Sequence, residues 1–367
     1  MKKVVHLTSV HGRNDTRIFV KMCSSLRDNG YDVSLIVADG NGDEINSGVT
    51  IYDVGPYSNR LARVLFAPKQ IFRRCLRLDA DLFHLHDPEL IPIGLMLKRL
   101  GKKVIFDSHE DVPKQLLTKS YLPFFLLKIF SMAFCAFERF SCARFDAIIA
   151  ATPFIRDKFL KINSYTVDIN NFPIIDEMRQ SFVGQKRSKV SYVGALSDVR
   201  GISEMVNAMI HVGADIKLSI GGNFSNASFA REVRLSPGWG RVEELGFLNR
   251  EGVGDLLSQS LAGLVTLRPV ANYVDSLPVK MFEYMSSGVP VIASDFPLWR
   301  EIIEGNDCGI CVNPLDTKAI AKAIDTLAQD PDMVARMGRN GKKIVHERYN
   351  WHKEETKLIS LYDNLTR

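Results

Sequence analysis

Apolar runs of strand length and segments of helical spacing alternate along the chain. KVVHLTSV at the start reads as a strand, and a Gly-bearing loop, His11-Gly12-Arg13-Asn14, follows it. From Asp15 to Asn29 the spacing of Ile18, Met22 and Leu26 predicts one helix, stopped by Asn29-Gly30. YDVSLIVAD is the next strand. DLFHLHD, the helical PELIPIGLMLKRLGKK, VIFDSHED, DAIIAATPFIRDKFL and the short TVDIN continue the alternation. The pattern breaks at 172–189, a polar stretch with Pro173, Gly184 and no period, which reads as a linker. KVSYVGAL opens a second series. It runs through IKLSIGG, RVEELGF, LAGLVTL, PVIASD and GICVN to helices between 317 and 347 and a last amphipathic helix after Trp351.

Repeating βα units imply a parallel, doubly wound sheet. The expected architecture is α/β, with two Rossmann-like parallel-sheet domains, 1–171 and 190–347, facing a cleft, and a C-terminal helix over 348–367. Ligands of open α/β sheets sit beyond the carboxyl ends of the strands, so both domains are expected to point sites into that cleft.

Composition narrows the partners. The 367 residues suit two or three domains, and 46% hydrophobic with 24% charged residues is ordinary globular usage. With 25 Gly and 15 Pro, collagen-like and low-complexity readings fail. A formal charge of +5 is too weak to argue for nucleic acid. It is unevenly spread, however. Residues 1–170 hold 24 Lys/Arg against 18 Asp/Glu, a net +6, and the remainder is net −1. A basic first half suits an anionic partner, either a membrane surface or a polyanionic acceptor.

Residues 60–77, RLARVLFAPKQIFRRCLR, set Arg60, Arg63, Lys69, Arg73, Arg74 and Arg77 among apolar side chains. That is the make-up of an interfacial patch, or of a plain amphipathic helix with a solvated basic face. The run Tyr121 to Phe137 is short for a membrane span, contains Pro123 and carries Lys128 mid-run. A central Lys costs roughly 2.5–3.5 kcal/mol on insertion, so a buried or interfacial helix is expected instead. Six cysteines make no disulfide framework, and Cys308-Gly-Ile-Cys311 reads as chance at a strand edge. The start makes a poor signal peptide, which implies a cytoplasmic protein.

The second half holds the sharper motifs. Gly194 to Gly201, GALSDVRG, follows a strand and opens a helix. Gly194 permits close backbone approach, the helix near Gly201 presents N–H groups, and Arg200 offers a fork of donors to phosphate oxygens. An ordinary βα turn with a surface Arg is the plain alternative. No G-x-G-x-x-G or Walker lysine pattern occurs. Asp275 and Glu283 lie eight apart, Glu283 inside a helix that Gly288 ends. A carboxylate suits paired sugar hydroxyls, because it accepts two hydrogen bonds and has no donor to leave unmatched. Lys280, one turn before Glu283, is also placed to be its i,i+3 salt-bridge partner.

The first half is histidine-rich near its strand ends. His84-Leu85-His86 puts two rings on one strand face. With Asp87, Glu89, His109, Glu110 and Asp111 these residues allow a zinc or manganese hydrolase as an alternative. Asp79-Ala80-Asp81 has the spacing of a metal-binding D-x-D but directly precedes a strand, where solvated acids are expected. His109 reads as a capping or surface histidine beside acids, or, in a functional role, as a ring that recognises sugar hydroxyls or one whose pKa Glu110 and Asp111 raise. Asp15 reads as a helix N-cap and Arg17 as a first-turn ion.

The stretch from Tyr192 to Asp316 resembles the nucleotide-sugar-binding domain of the retaining glycosyltransferases of family 4 (group 1, GT-B fold), in particular the surface-polysaccharide type. The resemblance rests on Gly194-Ala195-Leu196, Arg200-Gly201, Asp275-x7-Glu283 and Gly288-Val289-Pro290-Val291-Ile292, and FDSHED and HLHDPEL of the first half fit it too. Three departures stand out: Ala195 where the family often has Arg, Asp275 where it has Glu, and Pro278 where it often offers a backbone N–H.

What the resemblance implies is specific. A hexosyl unit would move from a nucleotide sugar, with a UDP-sugar expected, to a lipid-linked saccharide in bacterial surface-polysaccharide biosynthesis (O-antigen, capsule or exopolysaccharide). Configuration would be retained, with no cofactor and no metal. His109, Asp275 and Glu283 would be catalytic: Glu283 on the ribose hydroxyls, Asp275 and His109 on the donor sugar. Gly12, Gly194, Arg200, Gly201, Val279, Lys280 and Glu283 would line the nucleotide-sugar site, Arg200 neutralising the diphosphate. The last helix would return to the first domain. The enzyme would sit at the inner face of the cytoplasmic membrane, held by anionic lipid, with no nucleic-acid partner. A nucleotide-sugar epimerase of the same fold and a non-catalytic nucleotide-sugar-binding protein remain as alternatives.

Overall fold

The computed structural model describes residues 1–117, 123–175, 187–213 and 215–367. The chain divides into two compact units. One comprises Met1–Asn171 with His352–Arg367, the other Phe172–Trp351. Most of the 172–189 stretch read as a linker, residues 176–186, lies outside the described residues, as do Tyr121 and Leu122.

The first unit is built on an eight-stranded sheet. Its strands are β1 (Lys3–Leu7), β2 (Asp32–Val37), β3 (Glu44–Asn46), β4 (Val49–Asp53), β5 (Leu82–Leu85), β6 (Lys103–Ser108), β7 (Ala147–Ala150) and β8 (Thr166–Asp168). They lie in the order β3-β4-β2-β1-β5-β6-β7-β8, parallel except for the short edge strand β3. Strands covered on both faces read as near-continuous apolar runs, and β5 and β7 are buried at every position. On one face Val5, Leu7, Phe83, Leu85, Val104 and Phe106 pack with Ile71, Leu97 and Phe159. The alternate residues of the central strands, His6, His84 and Asp107, are fully buried as well. Some polar groups of this unit are therefore inside its sheet layer.

The helix expected over 15–29 is two pieces, Thr16–Cys23 and Ser24–Asp28. The first is wound wider than an α-helix: the amides of both Phe19 (2.9 Å) and Val20 (3.1 Å) donate to the Asp15 carbonyl. Asp15 caps it, its carboxylate accepting from the Arg17 and Ile18 amides at 2.9 Å each. Arg17 and Lys21, polar positions in an apparently amphipathic segment, are both buried and turned inward. The wider winding accompanies that inward polar face, which spacing alone does not predict.

The final helix, Trp351–Thr366, packs on this unit. Tyr31 Oη donates to Asp363 at 2.6 Å, Glu354 accepts from the Asn170 amide at 2.7 Å, and Lys357 Nζ reaches the Asp168 carbonyl at 3.2 Å. Helix Phe124–Cys142 buries a narrow stripe that includes Leu127, Ser131 and Glu138. Among the described residues no helix is long and apolar enough to cross a membrane.

The second unit carries a six-stranded parallel sheet: β9 (Lys189–Val193), β10 (Lys217–Gly221), β11 (Val242–Gly246), β12 (Ser260–Val265), β13 (Val291–Ser294) and β14 (Gly309–Val312), in the order β11-β10-β9-β12-β13-β14. Val190, Leu218, Ile220 and Leu264 pack with Met205, Met209 and Ile324. Val265, Val291 and Ala293 pack with Phe282, Met285 and Trp299. Strand order reverses at β1/β5 in the first unit and at β9/β12 in the second, which is where ligands of such sheets bind.

Candidate functional site

In the second unit the loop after β9 carries Gly194, at φ +135°. A Cβ there would stand 2.7 Å from Lys280 Nζ, so the glycine is what admits the lysine. Lys280 comes from helix Val279–Ser286 and lays Nζ 3.8 Å from the centre of the Tyr192 ring. The residue keeps some surface, but its ammonium end is enclosed. Desolvation there, joined by the neighbouring Arg200 cation, lowers its pKa well below the ordinary value, against the pull of Glu283.

Arg200 closes a single helical turn, Asp198–Arg200, and lies 4.9 Å over the Tyr273 ring. Gly201 follows at φ +76°, where a Cβ would meet the Thr266 carbonyl oxygen at 2.0 Å. The helix it leads into, Ile202–Ala208, has only seven residues. Arg268 pins this turn by pairing with Asp198 and Glu204, both at 2.6 Å.

Glu283 is mostly enclosed and accepts from Arg250 Nη1 at 2.6 Å. The carboxylate partner expected from spacing was Lys280; the structure gives it Arg250, from helix Arg250–Ser258, and sends Lys280 to Gly194 and Tyr192 instead. An i,i+3 lysine is one short-range option, whereas Arg250, 33 positions away, has no local signature. Asp275 caps the turn Ala271–Val274 on the loop leading to Pro278 and Val279, and that loop is tied down by Trp299 Nε1 donating to the Ser276 carbonyl at 2.7 Å. Gly194, Arg200, Gly201, Val279, Lys280 and Glu283 thus belong to one end of this sheet, with Asp275 on the adjoining loop. The Ala195 carbonyl accepts from Tyr192 Oη at 2.9 Å.

In the first unit His109 follows β6. Its acid is neither Glu110 nor Asp111, contrary to the expectation from adjacency. Glu110 is held by Gln115, and Asp111 pairs with Lys158 at 3.0 Å. His109 Nε2 lies 3.2 Å from Asp107 Oδ2 and 3.4 Å from His86 Nδ1. Asp107 is fully buried and receives Arg17 twice, Nε at 3.0 Å and Nη2 at 2.7 Å. Burial alone would raise its pKa, but Arg17 and the histidines override that and lower it well below the ordinary carboxylate value. Arg17, read as a first-turn ion, is therefore half of a buried ion pair.

Asp87 is also buried and accepts from Thr8 Oγ1 at 2.8 Å and from the Ser9 amide at 2.6 Å, fixing the loop after β1. Gly12 lies on that loop; a Cβ there would meet nothing within 4 Å, so no close approach within this unit requires glycine. Of the D-x-D, Asp81 accepts the Lys3 amide at 2.8 Å, while Asp79 is 97% exposed.

Among the described residues two groups have ligand atoms spaced to admit an ion: His6, His84 and His86, and His86, Asp107 and His109. Most of their ligand atoms are otherwise engaged, although His84 Nε2 is buried without a hydrogen-bond partner. His6 Nδ1 and His86 Nε2 are hydrogen-bonded at 2.9 Å, and Arg17 holds both oxygens of Asp107. A guanidinium bound to the would-be ligand oxygen opposes a second cation there, and the donor set fits hydrogen bonding better than a metal.

Two parallel-sheet α/β units, each with polar residues at the carboxyl ends of its central strands, define the GT-B class of glycosyltransferase fold. A structure from Anabaena, the protein HepE in complex with UDP-glucose, shares it with a TM-score of 0.74 at 15% identity, covering 99% of this chain and 100% of that one. The pattern described as "Glycosyl transferases group 1" matches residues 174–344, and "Glycosyltransferase Family 4" matches 16–167. Together they take in most of the chain, which belongs to the family 4, group 1 glycosyltransferases. It is 24% identical to an uncharacterized glycosyltransferase of Methanocaldococcus jannaschii, over 91% of this chain and 90% of the relative. It is 23% identical to a phosphatidyl-myo-inositol mannosyltransferase of Mycobacterium leprae, over 84% and 81%.

Proposed function

We propose that this glycosyltransferase moves a hexosyl unit from a nucleotide sugar, a UDP-sugar above all, to a lipid-linked saccharide for a bacterial surface polysaccharide, with retention of configuration and without a metal. The observation that carries the donor reading is the meeting of Lys280 and Arg200 beside Gly194. Burial, and then the Arg200 charge, disfavour a bare ammonium on Lys280. A diphosphate would relieve that opposition. Its charge grows as the glycosidic bond breaks, so cations fixed there act more strongly in the transition state than in the ground state. Arg250 holds Glu283 in place, and a carboxylate so aimed suits ribose hydroxyls. Asp275 and His109 are assigned to the donor sugar. The leaving diphosphate would take the acceptor's proton on the face it departs from.

The UDP-glucose bound by the Anabaena protein supports the donor class, and the lipid named for the mycobacterial relative supports a lipid acceptor. Exposed Leu61, Leu65 and Phe66 on helix Arg60–Cys75, and Phe125, Ile129, Phe130 and Met132 on helix Phe124–Cys142, support membrane contact. Arg63 and Arg74 are already paired, with Glu89 and Asp43, so the charge offered to lipid is smaller than the sequence count.

Glu283→Ala is expected to weaken donor affinity roughly tenfold to a hundredfold, since hydrogen bonds to a charged group are worth about 1.5–3 kcal/mol. Release of nucleoside diphosphate across a panel of nucleotide sugars measures it, and unchanged affinity and turnover would sink the donor-site assignment. Flotation with vesicles containing anionic lipid tests the membrane side; binding indifferent to salt and to lipid charge would count against it.

A further inference from the structure

The buried face of the first sheet holds more polar side chains than packing needs. His6, His84, His86 and Asp107 come from three neighbouring strands, β1, β5 and β6, or from the residue just past them, and Tyr362 reaches them from the last helix. All five are buried. Burial drives the pKa of each of the three histidines below its ordinary value, so each ring is neutral, with one N–H and one lone pair. Counting donors and acceptors then fixes a direction.

Asp107, ionised against Arg17, can only accept. His86 Nδ1, 3.3 Å from its Oδ2, is therefore the protonated nitrogen, and His86 Nε2 accepts. His6 Nδ1, 2.9 Å away, donates to it. His6 Nε2 then accepts from Tyr362 Oη at 3.2 Å, and Tyr362 Oη accepts from His84 Nδ1 at 2.7 Å. The chain must end on a bare lone pair at His84 Nε2. That atom is indeed buried without a hydrogen-bond partner, 3.9 Å from Asp107 Oδ2. The reverse direction would aim a His86 lone pair at the carboxylate, and would leave the His84 N–H too far from it to bond. An unpartnered acceptor is also the more readily tolerated of the two endings, since an orphaned buried N–H is the rarer case.

We propose that Tyr362, His84, His6 and His86 form a one-way hydrogen-bonded relay onto Asp107 that holds His109 as its Nε2–H tautomer, so that Nδ1 is offered as an acceptor to a substrate hydroxyl. His109 Nε2 lies 3.2 Å from the same Asp107 oxygen, so its proton is drawn to Nε2, and the ring's other nitrogen keeps its lone pair. Because His86 Nδ1 is already a donor, it cannot accept from His109 and let the ring turn away from Asp107. The four relay members are positioning residues: none needs to touch substrate. This places Tyr362, on the C-terminal helix, in the control of a first-unit residue 253 positions earlier in the chain. The inference rests on the reading of His109 as a sugar contact.

Long-range proton–nitrogen spectra of the full chain labelled with nitrogen-15 histidine read every tautomer directly. At neutral pH His6, His84 and His86 are expected as Nδ1–H forms, the less common tautomer in water, and His109 as Nε2–H. Tyr362→Phe cuts the relay, and should mix the tautomers of His84, His6, His86 and, through His86, of His109. It should also raise donor KM about tenfold while kcat falls less, a split that simple loss of folded protein would not give. If that variant fails to fold, His84→Asn keeps a donor where Nδ1 stood and should restore the spectra and KM that His84→Leu loses.

A wild-type His109 in the Nδ1–H form overturns the proposal, as does a Tyr362→Phe protein with unmoved tautomers and KM. Stoichiometric zinc that shifts these resonances would show a metal site instead. His109→Ala with unchanged donor KM would overturn the sugar-contact reading alone, with the relay then judged on the spectra.

Discussion

The two units handle polarity in opposite ways. The first takes charge into its sheet: Arg17 meets Asp107 at 2.7 Å, with side chains 6% and 0% exposed. The second keeps charge out of the buried part of its sheet, where the polar groups are small hydroxyls such as Ser191 and Ser260, and sets Arg200 and Lys280 on a loop and a helix start beside glycines. Site residues of the first unit are therefore also parts of its core, and function and stability should fail together there. In the second unit the site depends on backbone shape, and side-chain changes at its rim should leave folding nearly intact.

The largest test of this contrast is Asp107→Ala. It strands a buried guanidinium, and breaking one partner of such a pair costs about 3–5 kcal/mol. Urea unfolding should show the first unit's transition moved to much lower denaturant, with the second unit's transition in place. Replacing both partners, as Arg17→Met with Asp107→Leu, should recover most of the lost stability while donor turnover stays lost. Recovered turnover would mean the pair is structural only, and the contrast would collapse.

Gly201→Ala is the matching test of backbone shape. An L-residue at φ +76° costs about 1–2 kcal/mol, and the added Cβ also meets the Thr266 carbonyl, so about 2 kcal/mol or more is expected. The effect should fall on the second unit's transition and on donor affinity together, through displacement of Arg200. Arg250→Ala, by contrast, removes a cation 48% exposed and should change stability by less than about 1 kcal/mol while weakening donor binding through Glu283. A large unfolding shift in Arg250→Ala would erase the distinction between the units.

That division also sets what the sequence could tell. Near-continuous apolar runs such as those of β5 and β12 were legible because their length and bounding turns encode burial locally. Gly194 and Gly201 were legible as turn glycines because a βα turn imposes residue types on a short stretch. Arg17 with Asp107, 90 positions apart, and Tyr362 with His6, 356 apart, were not. Nothing near Arg17 distinguishes it from a surface ion; only strand order brings β6 beneath it. His109 was picked out, but its acid was misassigned because adjacency favoured Glu110 and Asp111, whereas the strand's alternation puts Asp107 on its side.

The smallest effect probes the rim of the first unit, where a polar pair does not enter the sheet. Arg13 Nη2 lies 2.7 Å from Asp39 Oδ1, and its Nε bonds the other oxygen at 2.9 Å. Those hydrogen bonds hold the Asp39 pKa down at about 2, against its ordinary 3.8. A depressed carboxylate stabilises the fold above its unfolded pKa, and that contribution is lost as pH falls from about 4 to about 2. Asp39→Asn removes the pairing, so wild type should exceed it by about 1 kcal/mol above pH 5, with the gap closing through pH 4 and vanishing near pH 2. Urea midpoints of the first unit measured across that range decide it. A gap that persists at pH 2 would show that the Asp39 side chain acts through packing rather than charge, and the rim of the first unit would then resemble its interior.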